Sequence, residues 1–137
     1  MRLTELVNEQ AITTRLRART KRDAIGELVE LLESAHGLDS HGEILDRVLR
    51  REAMMSTGIG NGVAIPHGKA RSVDRMLAAC AIAPSGIEFE SVDGEPARLF
   101  ILLAFIGVVL AIGVALKRFL IARYRRRLEG TNRSNPI

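Results

Sequence analysis

Apolar residues in the first third of the chain recur with the period of an α-helix. The run TKRDAIGELVELLESAHG (residues 20–37) predicts an amphipathic helix, with Thr20 and Asp23 resembling a capping pair at its start. Gly37 stands where a helix C-cap belongs. The apolar face of this predicted helix consists of Ile25, Leu28 and Leu32.

A second helical pattern follows at once. The run SHGEILDRVLRREAM (residues 40–54) begins with Ser40 and Glu43 at the spacing of a capping box, which predicts a helix start at this point. Its apolar stripe consists of Ile44, Val48 and Leu49. Both helices therefore have one face to bury against the rest of the domain.

The remainder of the chain up to residue 105 is typical of short strands. The candidates are AITTRLRA (11–18), VAI (63–65), MLAACAIA (76–83), IEFESV (87–92) and ARLFILLAF (97–105). Pro66 ends the second of them, and PSG (84–86) and DGEP (93–96) are turn signals. Two helices combined with several strands predict an α/β or α+β arrangement of a sheet and helices.

Charge is distributed unevenly along the 137 residues. The formal net charge is +4, but residues 117–137 contain seven Lys or Arg and one acid, a local charge of +6. Residues 1–116 contain thirteen basic and fifteen acidic side chains, a charge of −2. The basic character therefore belongs to the tail, and with one Tyr and no Trp we expect no nucleic-acid partner.

Cysteine usage and the N-terminus bear on the cellular compartment. Cys80 is the single cysteine, so a disulfide framework is excluded and a reducing compartment is indicated. The opening MRLTELVNEQ is polar and lacks the apolar segment of a secretory signal. These features predict a cytoplasmic protein, with membrane association through the tail as the alternative.

The stretch STGIGNGVAIPHGK (residues 56–69) is the most distinctive part of the chain. It lacks the Gly-Lys-Ser/Thr ending of a nucleotide P-loop, and it follows a predicted helix where a dinucleotide fingerprint would follow a strand. The three histidines, His36, His41 and His67, have no metal-ligand spacing. We therefore expect neither a nucleotide nor a metal at this stretch.

His67 remains as the candidate reactive side chain of this stretch. Glycines allow close approach of the backbone to an anion, and a run of N–H groups favours phosphate. Imidazole is largely neutral near pH 7 and can act as a nucleophile without a separate base. From the residues alone, a structural role for a lone histidine stays open beside phosphoryl chemistry.

The segment RREAMMSTGIGNGVAIPHGKA (50–70) is similar to the active-site signature of the type-2 IIA domains of the bacterial phosphotransferase system. The runs TKRDAIGELVELL (20–32) and GIEFESVDGEPARLFILLA (86–104) also resemble this family, which includes fructose, mannitol and nitrogen-regulatory members. The resemblance covers about residues 1–105. It implies an α/β fold with a mixed β-sheet flanked by helices, and no cofactor.

The resemblance also implies roles for individual residues. His67 corresponds to the histidine that accepts a phosphoryl group, and Arg51 to the arginine that neutralises it, a role that suits the charge of phosphoryl transfer. The residues assigned to the phosphate pocket are Ser56, Thr57, Gly58 and Gly60. The implied donor is an HPr-like phosphocarrier protein, and the implied acceptor is a sugar-transport IIB subunit or a regulatory protein.

The C-terminal part departs from the family pattern. No histidine follows His67, whereas family members usually have a second active-site histidine there. This departure motivates an alternative function, a regulatory binding module, free or tethered to a membrane, that docks to partners and has impaired phosphoryl transfer. We assign residues 1–105 to the IIA-like domain and 106–137 to a divergent apolar and then arginine-rich tail.

Three interpretations of the tail are open. Residues 99–116 are eighteen uncharged, mostly apolar residues, enough for a membrane helix over about 99–121 with a basic end on anionic lipid. The cations that follow would place the C-terminus inside and His67 outside, away from cytoplasmic phosphodonors. The run is alternatively a buried strand followed by an amphipathic, apolar and basic helix, or the product of a frameshift near residue 105.

Overall fold

The computed structural model describes residues 2–106 of the chain. Three helices precede most of the sheet: α1 (Leu3–Leu6), α2 (Lys21–His36) and α3 (Glu43–Met54). The strands are β1 (Val7–Thr13), β2 (Gly58–Gly60), β3 (Val63–Ala64), β4 (His67–Lys69), β5 (Leu77–Ile87) and β6 (Ala97–Phe105).

Helix α2 has the bounds that its sequence predicts. The Thr20 side chain accepts the N–H of Asp23 at 3.2 Å, and Gly37 ends the helix in the left-handed region with φ 62°. The predicted apolar face, formed by Ile25, Leu28 and Leu32, is completely buried. Capping and apolar periodicity therefore specified this element correctly.

Helix α3 begins at Glu43 and has no side-chain cap, so the predicted capping box is wrong. The Ser40 hydroxyl donates to the Glu33 carboxylate of α2 instead. The Glu43 carboxylate accepts the N–H groups of Arg71 at 2.8 Å and Ser72 at 3.0 Å. Tertiary partners have replaced the local ones, and the start of α3 is thereby attached to the segment that follows β4.

The six strands form one mixed sheet in the order β1-β5-β6-β3-β2, with β4 also paired to β6. β1 is parallel to β5, whereas β5 and β6 are antiparallel. Both β3 and β4 run parallel to β6, at successive positions along it. Helix α2 packs on β1 and β5 and α3 packs on β4, which confirms the mixed sheet flanked by helices.

The sheet residues beneath the helices alternate with outward-facing ones. Those in the buried core include Ala79, Ala81, Phe100, Leu102 and Ala104. Because side chains alternate between faces along a strand, this set defines the face that α2 and α3 cover.

Two strand predictions need correction. β1 occupies Val7–Thr13, so the predicted strand over residues 11–18 is shifted toward the N-terminus. PSG (84–86) lies inside β5 and is not a turn. The β5–β6 register shifts between Ile82 and Ile87, and Gly86 has φ 74°, so the sequence forms an irregularity within the strand.

The alternating run IEFESV forms a strand only at Ile87. Glu90 has φ 52°, a left-handed conformation that no continuous strand accommodates. Ser91 is buried against Gly58. Contacts with the glycine stretch therefore determine the conformation of this segment. The alternation of apolar and polar residues in IEFESV does not determine it.

The structure also bears on the C-terminal apolar run. Leu99 to Phe105 lie in β6, so a membrane helix that starts at residue 99 is wrong for these seven residues. No helix within residues 2–106 is long and apolar enough to cross a bilayer. The predicted amphipathic helix, the basic tail and the remainder of the membrane and frameshift interpretations lie outside the described residues.

Candidate functional site

Gly68 is the point at which strand β4 touches helix α3. A Cβ atom added to Gly68 would lie 2.9 Å from the backbone nitrogen of Val48 and 3.1 Å from the carbonyl carbon of Arg47. Only a residue without a side chain permits this approach of strand and helix backbones. The glycine that follows His67 therefore fixes how closely α3 lies to the histidine.

Three contacts show that α3 runs opposite to the segment from residue 65 to 72. The start of the helix binds Arg71 through Glu43, its middle touches Gly68, and beyond its end Thr57 O accepts the N–H of Ile65 at 3.0 Å. One turn past the Gly68 contact the helix reaches Arg51. Arg51 therefore lies on the side of the Gly68 contact that faces residues 65–67.

The Arg51 side chain is half-buried at the end of α3. Its Nη1 donates to Met55 O at 2.8 Å, and within residues 2–106 no carboxylate pairs with it. The neighbouring Arg50 is exposed and forms an ion pair with Asp46 at 2.9 Å. In the described part of the chain, Arg51 therefore has a guanidinium charge available for an anion, whereas the charge of Arg50 is already paired.

The His67 ring is held in one orientation. Its Nδ1 lies 2.9 Å from Ile65 O, and its plane is inclined by 24° to the Phe105 ring at a centroid distance of 6.3 Å. A carbonyl oxygen can only accept, so in the neutral ring Nδ1 carries the proton and Nε2 the lone pair. No side chain or backbone group of residues 2–106 makes a hydrogen bond to Nε2.

Several amides of the glycine stretch are already occupied. The N–H of Thr57 donates to Glu52, that of Gly58 to the Ser56 hydroxyl at 3.1 Å, and that of Asn61 to an Asp93 carboxylate oxygen at 2.8 Å. The expectation that this stretch offers its amides to phosphate is therefore not met at these three positions.

The glycines serve close packing and backbone conformation instead. A Cβ on Gly58 would lie 2.5 Å from the hydroxyl oxygen of Ser91 and 2.9 Å from its Cα. Gly60 has φ 88°, and a Cβ there would approach Asp93 Oδ2 to 3.1 Å. The Ser56 hydroxyl donates to Phe89 O at 2.6 Å. These contacts fix the glycine stretch to the segment after β5.

Sequence reasoning missed Glu52, the only carboxylate among the buried residues of the described chain. Its Oε1 lies 2.8 Å from Lys21 Nζ, and Thr57 donates to it through both its N–H and its hydroxyl. Burial raises the pKa of Glu52, but the Lys21 and Thr57 hydrogen bonds outweigh burial and lower the pKa below its ordinary value.

A signal for Glu52 was present in the sequence. Ile44, Val48 and Glu52 follow one another at intervals of four residues, so the acid continues the apolar stripe of α3. An acidic residue on a buried stripe requires a partner. The identity of that partner, Lys21 at the start of α2, depends on tertiary structure.

Metal binding finds no support in this region. Among residues 2–106, no group of three or more His, Cys, Asp or Glu side chains is arranged to hold a metal ion.

Comparison with known families agrees with this geometry. The family model described as "Phosphoenolpyruvate-dependent sugar phosphotransferase system, EIIA 2" matches residues 5–108. The chain belongs to this family. The match includes every element from β1 to β6 and confirms the resemblance seen in the glycine–histidine stretch.

Two curated relatives illustrate the range of the family. The chain is 36% identical over 104 residues to the PTS system fructose-specific EIIABC component of Bacillus subtilis, covering 76% of this chain and 16% of that protein. It is also 36% identical over 105 residues to a nitrogen regulatory protein of Bradyrhizobium diazoefficiens, covering 76% of this chain and 68% of that one. A fructose-specific component of the phosphotransferase system and a nitrogen regulatory protein are thus both among its relatives.

Solved structures show the same architecture. The nitrogen regulatory protein IIA-Ntr of Neisseria meningitidis matches with a TM-score of 0.72 at 26% identity, covering 88% of this chain and 82% of that one. Enzyme IIAMTL of Escherichia coli, in complex with phosphorylated enzyme IIBMTL, matches with a TM-score of 0.65 at 24% identity, covering 83% and 81% of the two chains. The second likeness concerns the fold alone.

Proposed function

We propose that this chain is a phosphocarrier that accepts a phosphoryl group on Nε2 of His67 and passes it to another protein. The observation that carries the proposal is the state of the ring: Nδ1 is bonded to Ile65 O at 2.9 Å, which leaves Nε2 as the nucleophilic nitrogen. Membership of the EIIA 2 family supports the same chemistry. The protein then acts as a phosphotransferase through a phosphohistidine intermediate.

The step by which His67 accepts the phosphoryl group is an exchange between two nitrogen atoms. The Nε2 lone pair attacks phosphorus while the nitrogen–phosphorus bond of the donor breaks, and the donor nitrogen recovers its lone pair. The proton on Nδ1 stays in place because Ile65 O continues to accept it. No separate base is required, since the attacking nitrogen carries no proton.

Arg51 supplies positive charge to the transferred group. Arg51 lies in the last turn of the helix that runs along the His67 segment, and no carboxylate within residues 2–106 neutralises its guanidinium. Charge on the equatorial oxygens of the transferring phosphoryl group is stabilised by such a donor. Ser56 and Thr57 contribute by anchoring the glycine stretch, and Gly58 and Gly60 by permitting its conformation.

Exposed apolar residues near the glycine stretch are suited to partner docking. Met54 and Met55, at the end of α3, are 82% and 67% exposed, Ile59 in β2 is 57% exposed, and Val92 is 86% exposed. Arg51 donates to Met55 O and Val92 donates to Gly58 O, so these residues border the site. An HPr-like phosphocarrier as donor, and a IIB subunit or a regulatory protein as acceptor, would dock here.

The proposal is tested by labelling the full chain with phosphoenolpyruvate as the phosphate source, together with a phosphorylatable carrier protein and the enzyme that charges it. Wild type and His41→Ala, a variant of an exposed histidine, are expected to take up label, and His67→Ala none. Absence of label on wild type would overturn the proposal. Equal label on wild type and His67→Ala would show that a residue other than His67 carries the phosphoryl group, and would overturn the proposal as well.

A further inference from the structure

Helix α2 is linked to the His67 ring by a continuous series of polar contacts. Lys21 Nζ lies 2.8 Å from Glu52 Oε1, and Glu52 accepts the N–H of Thr57 at 3.0 Å. Thr57 O accepts the N–H of Ile65 at 3.0 Å, and Ile65 O accepts the Nδ1 proton of His67 at 2.9 Å. Each member of the series therefore contacts the next.

Glu52 is the member whose presence most needs explanation. Its side chain is only 4% exposed, and a buried carboxylate without partners is strongly unfavourable. Both carboxylate oxygens are bonded, one to the Lys21 ammonium and the other to the Thr57 hydroxyl. A hydrophobic residue would fill the same place on the stripe of α3 but would leave the N–H and the hydroxyl of Thr57 without this partner.

Lys21 also occupies an unusual place. It is the first residue of α2, where the helix dipole disfavours a cation. Its ammonium lies 5.0 Å from the centre of the Phe89 ring and 3.7 Å from Glu90. The partners of Lys21 explain this position. Its ammonium compensates the buried charge of Glu52 and also contacts the segment after β5.

We propose that Glu52, held by Lys21, is a positioning residue for phosphoryl transfer, acting through Thr57 and Ile65 to keep Nδ1 of His67 protonated and Nε2 free. This inference rests on the proposed function of His67. Glu52 does not touch the transferred group. It fixes Thr57, and Thr57 fixes the backbone carbonyl that selects the tautomer of the histidine.

The test compares two readouts in wild type and Glu52→Gln: the tautomer of His67, from the ¹⁵N chemical shifts of its ring, and the rate of phosphoryl transfer. Glutamine keeps the shape but removes the charge that Lys21 binds. We expect a smaller fraction of the Nδ1–H form and a transfer rate lower by about tenfold, because misplacement of a reacting group slows transfer steeply. A folded variant with the wild-type tautomer and rate would overturn the proposal, whatever its melting temperature.

A second pair of variants decides the matter if Glu52→Gln does not fold. Thr57→Val removes the hydroxyl that binds Glu52, whereas Thr57→Ser retains it. A changed tautomer and slower transfer in the valine variant, with a tautomer in the serine variant closer to that of wild type, support the proposal. A wild-type tautomer in the valine variant overturns it. The tautomer is measured without a phosphodonor, so this test still decides if wild type accepts no phosphate and the proposed function fails.

Discussion

At the residue scale, the account depends on the difference between two adjacent arginines. Arg51 has no carboxylate partner within residues 2–106, whereas Arg50 is paired with Asp46. Arg51→Ala is expected to lower the rate of phosphoryl transfer to His67 by about 100-fold, the usual consequence of removing one charged donor from a developing anion. The initial rate of label uptake from the phosphorylated carrier measures this effect.

Arg50→Ala is the matched control for that experiment. Its side chain is exposed, and its ion pair with Asp46 is an exposed pair that contributes about 0.5 kcal/mol to stability. The variant should transfer phosphate at the wild-type rate. Equal losses in the two variants would show that general positive charge, and not the placement of Arg51, accelerates the reaction.

The two arginines also show what sequence can establish about a site. The resemblance singled out Arg51 and His67, and helix α3, which carries Arg51, runs opposite to residues 65–72, the segment that contains His67. The ion pair of Glu52 could not be predicted, because its partner Lys21 is distant in sequence and contacts it only when α2 and α3 pack together. Motifs identify reacting groups, whereas the groups that orient them depend on tertiary contacts.

At the element scale, the approach of α3 to β4 requires a glycine at position 68. Gly68→Ala would place a Cβ 2.9 Å from the Val48 nitrogen, and a helix backbone cannot yield as the end of a side chain can. We expect the free energy of unfolding to fall by about 1 to 3 kcal/mol, as in other overpacked sites. Urea titration followed by circular dichroism measures the change.

Gly26→Ala is the control for this prediction. Gly26 lies inside α2, and a Cβ there would meet no atom within 4 Å. Alanine is the better helix residue, so this variant should be more stable than wild type by about 0.5 to 1 kcal/mol. A Gly68→Ala protein as stable as wild type would contradict the close packing of β4 on α3.

Elements with a strong local signal were predictable, and those shaped by distant contacts were not. Periodicity and caps specified α2 because its signals are all local. The predicted capping box at Ser40 was wrong, because the Ser40 hydroxyl donates to Glu33 and the Glu43 carboxylate accepts N–H groups from the segment after β4. IEFESV did not extend as a strand, because Ser91 in this run is buried against Gly58.

At the scale of the whole molecule, the mixed sheet brings distant segments together at one site. β3 and β4 pair with successive parts of β6, so the end of the glycine stretch and His67 lie next to each other beside that strand. Family resemblance implied such a sheet, but its order could not be read from hydrophobic patterns, because short apolar runs do not specify their neighbours. The acceptor of the proposed phosphoryl transfer cannot be read from motifs either. We expect it to dock on the exposed apolar residues Met54, Met55, Ile59 and Val92.

The central claim is that Nε2 of His67 carries the phosphoryl group. The most direct measurement is ³¹P–¹⁵N correlation NMR of the ¹⁵N-labelled full chain after phosphorylation by the carrier protein. The account predicts one phosphohistidine, with phosphorus coupled to Nε2 of His67, because Nδ1 is engaged with Ile65 O. Phosphorus coupled to Nδ1, or found on any other residue, would contradict it.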